Sequence, residues 1–134
     1  MSTVLLVEDD PDNQLLLRTW LEGMGHQVRV YGSAVEALDD LPAHPRPDLA
    51  VLDVVLPQLT GIEFIEKLRQ QPLFVDMPVV FLTAAELPPD PEQDWAPYAQ
   101  YLTKPLSRAT LAAAINNAFT AAQRSPGDTG PQRL

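Results

Sequence analysis

Glu8, Asp9, Asp53, Thr83 and Lys104 each follow a short run of strand-forming residues: Thr3–Val7, Leu49–Leu52, Met77–Leu82 and Gln100–Thr103. Brought together, they would form three carboxylates, a hydroxyl and an ammonium. Three carboxylates in one pocket cannot all stay charged without a cation. Oxygen-only ligands at that density suit Mg²⁺, which keeps part of its water shell and bridges to phosphate. A carboxylate can also attack phosphorus and form an aspartyl phosphate. The phosphoryl oxygens then need positive charge and donors, which Mg²⁺, Lys104 and the Thr83 hydroxyl would supply. Taken singly the residues are ordinary. Asp53 alone reads as a turn or capping residue, Lys104 as a surface lysine before Pro105, and Asp10 or Asp12 as the cap of a following helix with Pro11 at its first position. Glu8 and Asp9 precede that cap, so capping does not account for them.

The elements that would gather these residues follow from pattern. Thr3–Val7 and Leu49–Asp53 are apolar runs of strand length, polar only at Thr3 and Asp53, as expected of strands buried on both faces. Gln27–Tyr31 alternates and reads as a strand nearer an edge, Met77–Leu82 as a fourth buried strand and Gln100–Thr103 as a short fifth. Between them lie helical patterns. Pro11–Met24 carries Leu17, Leu21 and Met24 on one stripe and Leu16 and Trp20 on a neighbouring one, ended by Gly23 and Gly25. A helix capped by Ser33 has Val35, Leu38 and Leu41 inside. A helix opened by Thr60-Gly61 buries Ile62, Ile65 and Leu68, and a last helix capped by Ser107 carries Leu111, Ala114, Ile115, Ala118 and Phe119. Regular strand–helix alternation predicts an α/β fold, a doubly wound five-stranded parallel sheet with helices on both faces. Ligands of such sheets sit at the carboxyl ends of the strands, where all five residues fall.

Composition narrows the class. The 134 residues suit a single domain, read as residues 1–123, with 124–134 a disordered tail. There is no cysteine, which excludes disulfides and thiolate metal sites, and only two histidines, His26 and His44. His44, among prolines, reads as solvated. Nine basic against eighteen acidic residues, a net charge of −9, argue against direct nucleic-acid binding and favour a cation or a basic partner surface. No signal-peptide pattern and no apolar run of about 18 residues is present, so membrane insertion is not expected and the chain reads as cytoplasmic.

Val4–Pro11 (Val-Leu-Leu-Val-Glu-Asp-Asp-Pro), Asp53–Gly61 (Asp-Val-Val-Leu-Pro-Gln-Leu-Thr-Gly), Leu82-Thr83-Ala84 and Tyr101–Pro105 (Tyr-Leu-Thr-Lys-Pro) resemble the receiver domain of two-component response regulators, of the single-domain chemotaxis-regulator type. The resemblance covers roughly residues 3–122. It implies a flavodoxin-like strand order 2-1-3-4-5 and a switch that acts by protein contact in a phosphorelay. Asp53 would accept a phosphoryl group from a histidine kinase or histidine phosphotransfer protein. Asp9, Asp53 and the Val55 backbone carbonyl would bind Mg²⁺, with Glu8 reaching it through water. Lys104 would pair with the phosphoryl group, Thr83 would hydrogen-bond it and shift, and Tyr101, otherwise a partly buried strand aromatic, would rotate in response. A cis Lys104–Pro105 bond is implied as well. The chain would be no enzyme beyond its own phosphorylation and dephosphorylation at Asp53. A phosphorylation-independent interaction module with the same fold is the alternative. A phosphatase would need a cap and a second acid, and Val55 stands where that acid belongs.

The chain departs from the family between Glu86 and Tyr98, where Pro88, Pro89, Pro91 and Pro97 interrupt the expected fourth helix. Proline inside a helix costs about 3 kcal/mol, so that helix is expected to be short or irregular. Trp95 would replace its packing, the preferred reading, or stand exposed as an anchor for a partner. The usual dimer face is disturbed, which leaves a homodimer through another face and a downstream protein partner to be found. Val55 and Ala85 occupy two positions that in this family often tune dephosphorylation. Neither can hold an attacking water, so a long-lived phosphoryl group is expected.

Overall fold

The computed structural model describes residues 2–56, 58–83, 99–104 and 106–123. Five strands, β1 (Thr3–Val7), β2 (Gln27–Tyr31), β3 (Leu49–Asp53), β4 (Val79–Thr83) and β5 (Ala99–Thr103), form one sheet in the order β2-β1-β3-β4-β5, every pairing parallel. Among the described residues there are four α-helices: α1 (Pro11–Gly23), α2 (Ala34–Asp40), α3 (Gly61–Arg69) and α4 (Arg108–Gln123). This is the expected flavodoxin-like arrangement. The segment 86–98 of the interrupted helix, Trp95, Pro105 and the tail 124–134 lie outside the described residues.

Period-two alternation divides the strands between two layers. Leu5, Val7, Ala50, Leu52, Val79 and Phe81 pack with Ala34 and Ala37 of α2 and Phe64, Ile65 and Leu68 of α3. Val4, Leu6, Leu49, Val51, Val80 and Leu82 pack with Leu17 and Leu21 of α1 and Leu111, Ala114, Ile115 and Ala118 of α4. Hence β1, β3 and β4 have no polar face. The edge strand β2 is only half-buried, as its mixed sequence predicts.

Helix starts follow their caps. Asp10 caps α1 with Pro11 at the first position. Ser33 caps α2, and Thr60 and Glu63 form a reciprocal capping box on α3. The Ser107 hydroxyl accepts the Thr110 N–H at 3.1 Å before α4.

Three expectations are corrected. Val35 faces outward, and α2 buries Ala34 and Ala37 instead, with Leu41 in the following turn. A seven-residue helix offers two adjacent stripes, and the sheet takes the one with small residues. β4 starts at Val79, not Met77, because the Met77 N–H donates to the Phe74 carbonyl (3.3 Å) and Pro78 has none to donate. His44 is exposed but not alone: its Nε2 lies 3.1 Å from Asp40, one helical turn earlier. That carboxylate also accepts the Tyr31 hydroxyl.

His26 links the start of β2 to α4. Its ring is tilted against Phe119 at 6.3 Å, and its Nδ1 is buried without a hydrogen-bond partner among the described residues. Burial holds its pKa below the ordinary 6.5, against the pull of Asp48. The unfolded chain therefore takes up this proton first as pH falls. Its contribution to stability is complete above about pH 6.5 and declines between there and the lower folded value. The melting temperature is expected to fall from pH 7.5 to 5.5, and to fall less in His26→Gln.

Candidate metal and phosphoryl site

At the carboxyl edge of the sheet the ladder runs one rung beyond the strands. The Glu8 N–H donates to the Tyr31 carbonyl (3.1 Å), Val54 to Leu82 (2.9 Å) and Lys104 to Thr83 (2.8 Å). These bonds fix the main chain at Glu8, directly after Asp53, and between Thr83 and Lys104. One carboxylate oxygen each from Glu8, Asp9 and Asp53 lies within 4.8 Å of the others. Glu8 and Asp53 are buried and Asp9 is exposed, so the cluster opens outward on one side.

Lys104 enters this cluster. Its Nζ donates to Asp53 Oδ2 at 2.8 Å and stands 3.7 Å from Glu8 Oε1, an ion-pair contact too long for a hydrogen bond. Burial by itself would lower the lysine pKa. The bond to Asp53 and the charges of Asp53 and Glu8 outweigh it, and the net shift is upward, so the ammonium stays charged. Burial raises the Glu8 pKa, opposed by the Asp10 N–H and by Lys104, and reinforced by its acidic neighbours Asp53 and Asp9. Glu8 Oε2 accepts the Asp10 N–H at 3.1 Å, and Oε1 has no hydrogen-bond partner among the described residues. Asp53 Oδ1 accepts the Val55 N–H at 3.1 Å, which folds the chain back just past β3. The clustered ligand atoms are carboxylate oxygens, one of them buried without a hydrogen-bond partner among the described residues. That set fits a hard divalent ion such as Mg²⁺.

Thr83 ends β4, beside the end of β3 where Asp53 pairs with Leu82. Tyr101 pairs with Phe81, stacks on its ring at 5.4 Å and packs against the α2–α3 layer. Burial pushes its hydroxyl pKa up to about 12. Glu8 and Asp53 thus meet at Lys104, Asp9 brings a carboxylate oxygen within 4.8 Å of theirs, Thr83 flanks them, and Tyr101 stands two residues before the end of β5. The Val55 side chain is 71% exposed. Ala85 lies outside the described residues.

Of three further features the first two are not visible in residue type, whereas the third is marked by its glycine. Gln14 donates its side-chain amide to the Glu8 carbonyl at 2.6 Å. Gln58 adopts φ 70°, a left-handed conformation in the loop after Asp53. A Cβ at Gly61 would lie 2.3 Å from the Asp53 carbonyl oxygen, so the close seating of α3 behind Asp53 requires glycine.

Residues 4–116 match the response regulator receiver domain. The chain belongs to that family. The receiver is 34% identical over 132 residues to response regulator Rre1 of Synechocystis sp., covering 97% of this chain and 56% of that one. It therefore spans little more than half the length of that relative. It is 32% identical over 106 residues to the polar-differentiation response regulator DivK of Brucella anthropi, covering 78% of this chain and 85% of the relative. Among solved structures it superposes on the receiver domain of the sensor histidine kinase PA1611 of Pseudomonas aeruginosa with a TM-score of 0.76 at 29% identity, covering 89% of this chain and 98% of that one. The PA1611 receiver has a magnesium ion coordinated in its active-site cleft. No helix among the described residues of the present receiver is long and apolar enough to cross a membrane.

Proposed function

We propose that this receiver takes a phosphoryl group onto Asp53 from a histidine kinase or histidine phosphotransfer protein and thereby switches its contacts with a downstream protein. The observation that carries the reading is the Lys104–Asp53 bond inside the acidic cluster. A nucleophilic carboxylate and a permanent cation share a site with ligands for a divalent ion. Asp9 and Asp53, with the Val55 carbonyl, would hold Mg²⁺, and Glu8 would reach it through water. When bound, that ion would neutralise charge on the phosphoryl oxygens.

Asp53 attacks phosphorus with one carboxylate oxygen. The new P–O bond forms as the P–N bond to the donor histidine breaks, and the imidazole leaves with that electron pair. Lys104 releases Asp53 Oδ2 and pairs with a phosphoryl oxygen. The Thr83 hydroxyl donates to another, and Tyr101 follows the movement of Thr83. The chain turns over no other substrate. Residues 1–123 form the receiver, and its partners are proteins.

The test is intact mass after incubation with acetyl phosphate. A gain of one phosphoryl group with Mg²⁺, abolished by EDTA, is expected. Absence of any gain in protein shown to bind Mg²⁺ would transfer support to a constitutive interaction module. The exposed, all-hydrocarbon Val55 offers nothing to hold an attacking water. The phosphoryl group is therefore expected to persist for minutes once the donor is removed, and a lifetime of seconds would count against this.

A further inference from the structure

Two residues separate the end of β1 at Val7 from the α1 cap at Asp10, and both are acids of the site. Neither belongs to a strand or a helix. The contacts on Glu8 account for its N–H, bonded to Tyr31, and for Oε2, bonded to Asp10. They leave its main-chain carbonyl, which accepts Gln14 Nε2 at 2.6 Å.

We infer that Gln14 is a positioning residue for the metal-binding acids, because its side-chain amide sets the plane of the Glu8–Asp9 peptide. The inference rests on the Mg²⁺ reading given above. A peptide unit is planar, so fixing its carbonyl fixes the direction of both flanking Cα atoms. Both carboxylates depart from those two atoms. Gln14 is itself anchored to the same turn, since its N–H donates to the Asp10 carbonyl at 2.9 Å. Its amide also runs beside the loop after β2, where a Cβ on Gly32 would come within 3.7 Å of Nε2. The half-buried glutamine thus lies between the acidic turn and a neighbouring loop.

Calorimetric titration of the full chain with Mg²⁺ tests this. Gln14→Met keeps the length of the side chain and removes the donor. Gln14→Asn keeps the donor and shortens its reach. Each is expected to raise the Kd for Mg²⁺ about three- to tenfold, as loss of one short hydrogen bond implies. The melting temperature in EDTA should move by no more than about 3 °C. At saturating Mg²⁺ the rate of phosphoryl gain from acetyl phosphate should return to within about twofold of the parent, a split that general damage to the fold would not produce. An unchanged Kd in Gln14→Met, or a rate that saturating Mg²⁺ does not restore, would overturn the inference. If Gln14→Met does not fold, the same readings on Gln14→Asn decide. A parent chain that takes up no Mg²⁺ would sink the metal reading itself. Parent binding with an unaltered variant would overturn only the role of Gln14.

Discussion

Asp53→Asn is expected to gain no phosphoryl mass from acetyl phosphate and Mg²⁺ under conditions that fully modify the parent. An amide nitrogen is no nucleophile towards phosphorus at neutral pH, and the amide oxygen carries no charge to drive attack. The geometry predicts a second loss. Both Asp53 oxygens accept hydrogen bonds, Oδ1 from the Val55 N–H at 3.1 Å and Oδ2 from Lys104 at 2.8 Å. Asparagine has one acceptor, so either orientation sets an NH₂ against a donor. Mg²⁺ affinity should fall at least about tenfold with the loss of one anionic ligand. The fold should persist, because removing one of three clustered negative charges relieves repulsion among them. Intact mass, calorimetry and a thermal melt measure the three effects. Phosphoryl gain in the Asn variant would place the acceptor elsewhere.

Gly61→Ala is expected to produce the largest loss of stability of any single-methyl addition near the site. The new Cβ would sit 2.3 Å from the Asp53 carbonyl oxygen and 3.2 Å from Val54 Cα, all main-chain atoms that cannot rotate away. The start of α3 must retreat. That retreat strains the 2.9 Å bond from the Gly61 N–H to the Val54 carbonyl and the Thr60–Glu63 capping box. Overpacking costs about 1–3 kcal/mol and a lost cap about 1 kcal/mol. The sum, about 2–4 kcal/mol, corresponds to a fall in melting temperature of roughly 7–14 °C at this size. Thr60→Ala, which removes the cap without the clash, should cost only about 1 kcal/mol. Equal melting temperatures for the two variants would show that α3 yields freely.

The strands and the acidic edge were legible because both depend on residue type. β1 and β3 are apolar but for Thr3 and Asp53 at their ends since both faces are covered, and a carboxylate closing such a run can only emerge at its end. What escaped depends on choices that residue type does not mark. Val35 and Ala34 lie on adjacent stripes of a short helix, and only the space left by the sheet decides between them. His44 finds Asp40 across the junction of α2 with the following turn, where helical spacing is not assumed from sequence. Met77 looks like a strand residue, but its N–H is committed to a turn. Gln14 resembles any glutamine in a first helical turn, because its partner is a main-chain carbonyl and carries no side-chain signature. Gln58 is hidden for the opposite reason: left-handed backbone is expected at glycine, so a glutamine gives no warning.

The division of the strand residues between two layers bears on how change spreads through this receiver. Phe81 and Leu82 are joined by one peptide bond, yet Phe81 belongs with Tyr101, α2 and α3, and Leu82 with α1 and α4. The sheet acts as a partition between two close-packed layers of side chains. Substitutions adjacent in sequence but opposite in layer share no side-chain cluster and couple through the main chain between them, while residues far apart in the chain, such as Leu17 and Ala118, belong to one packed cluster.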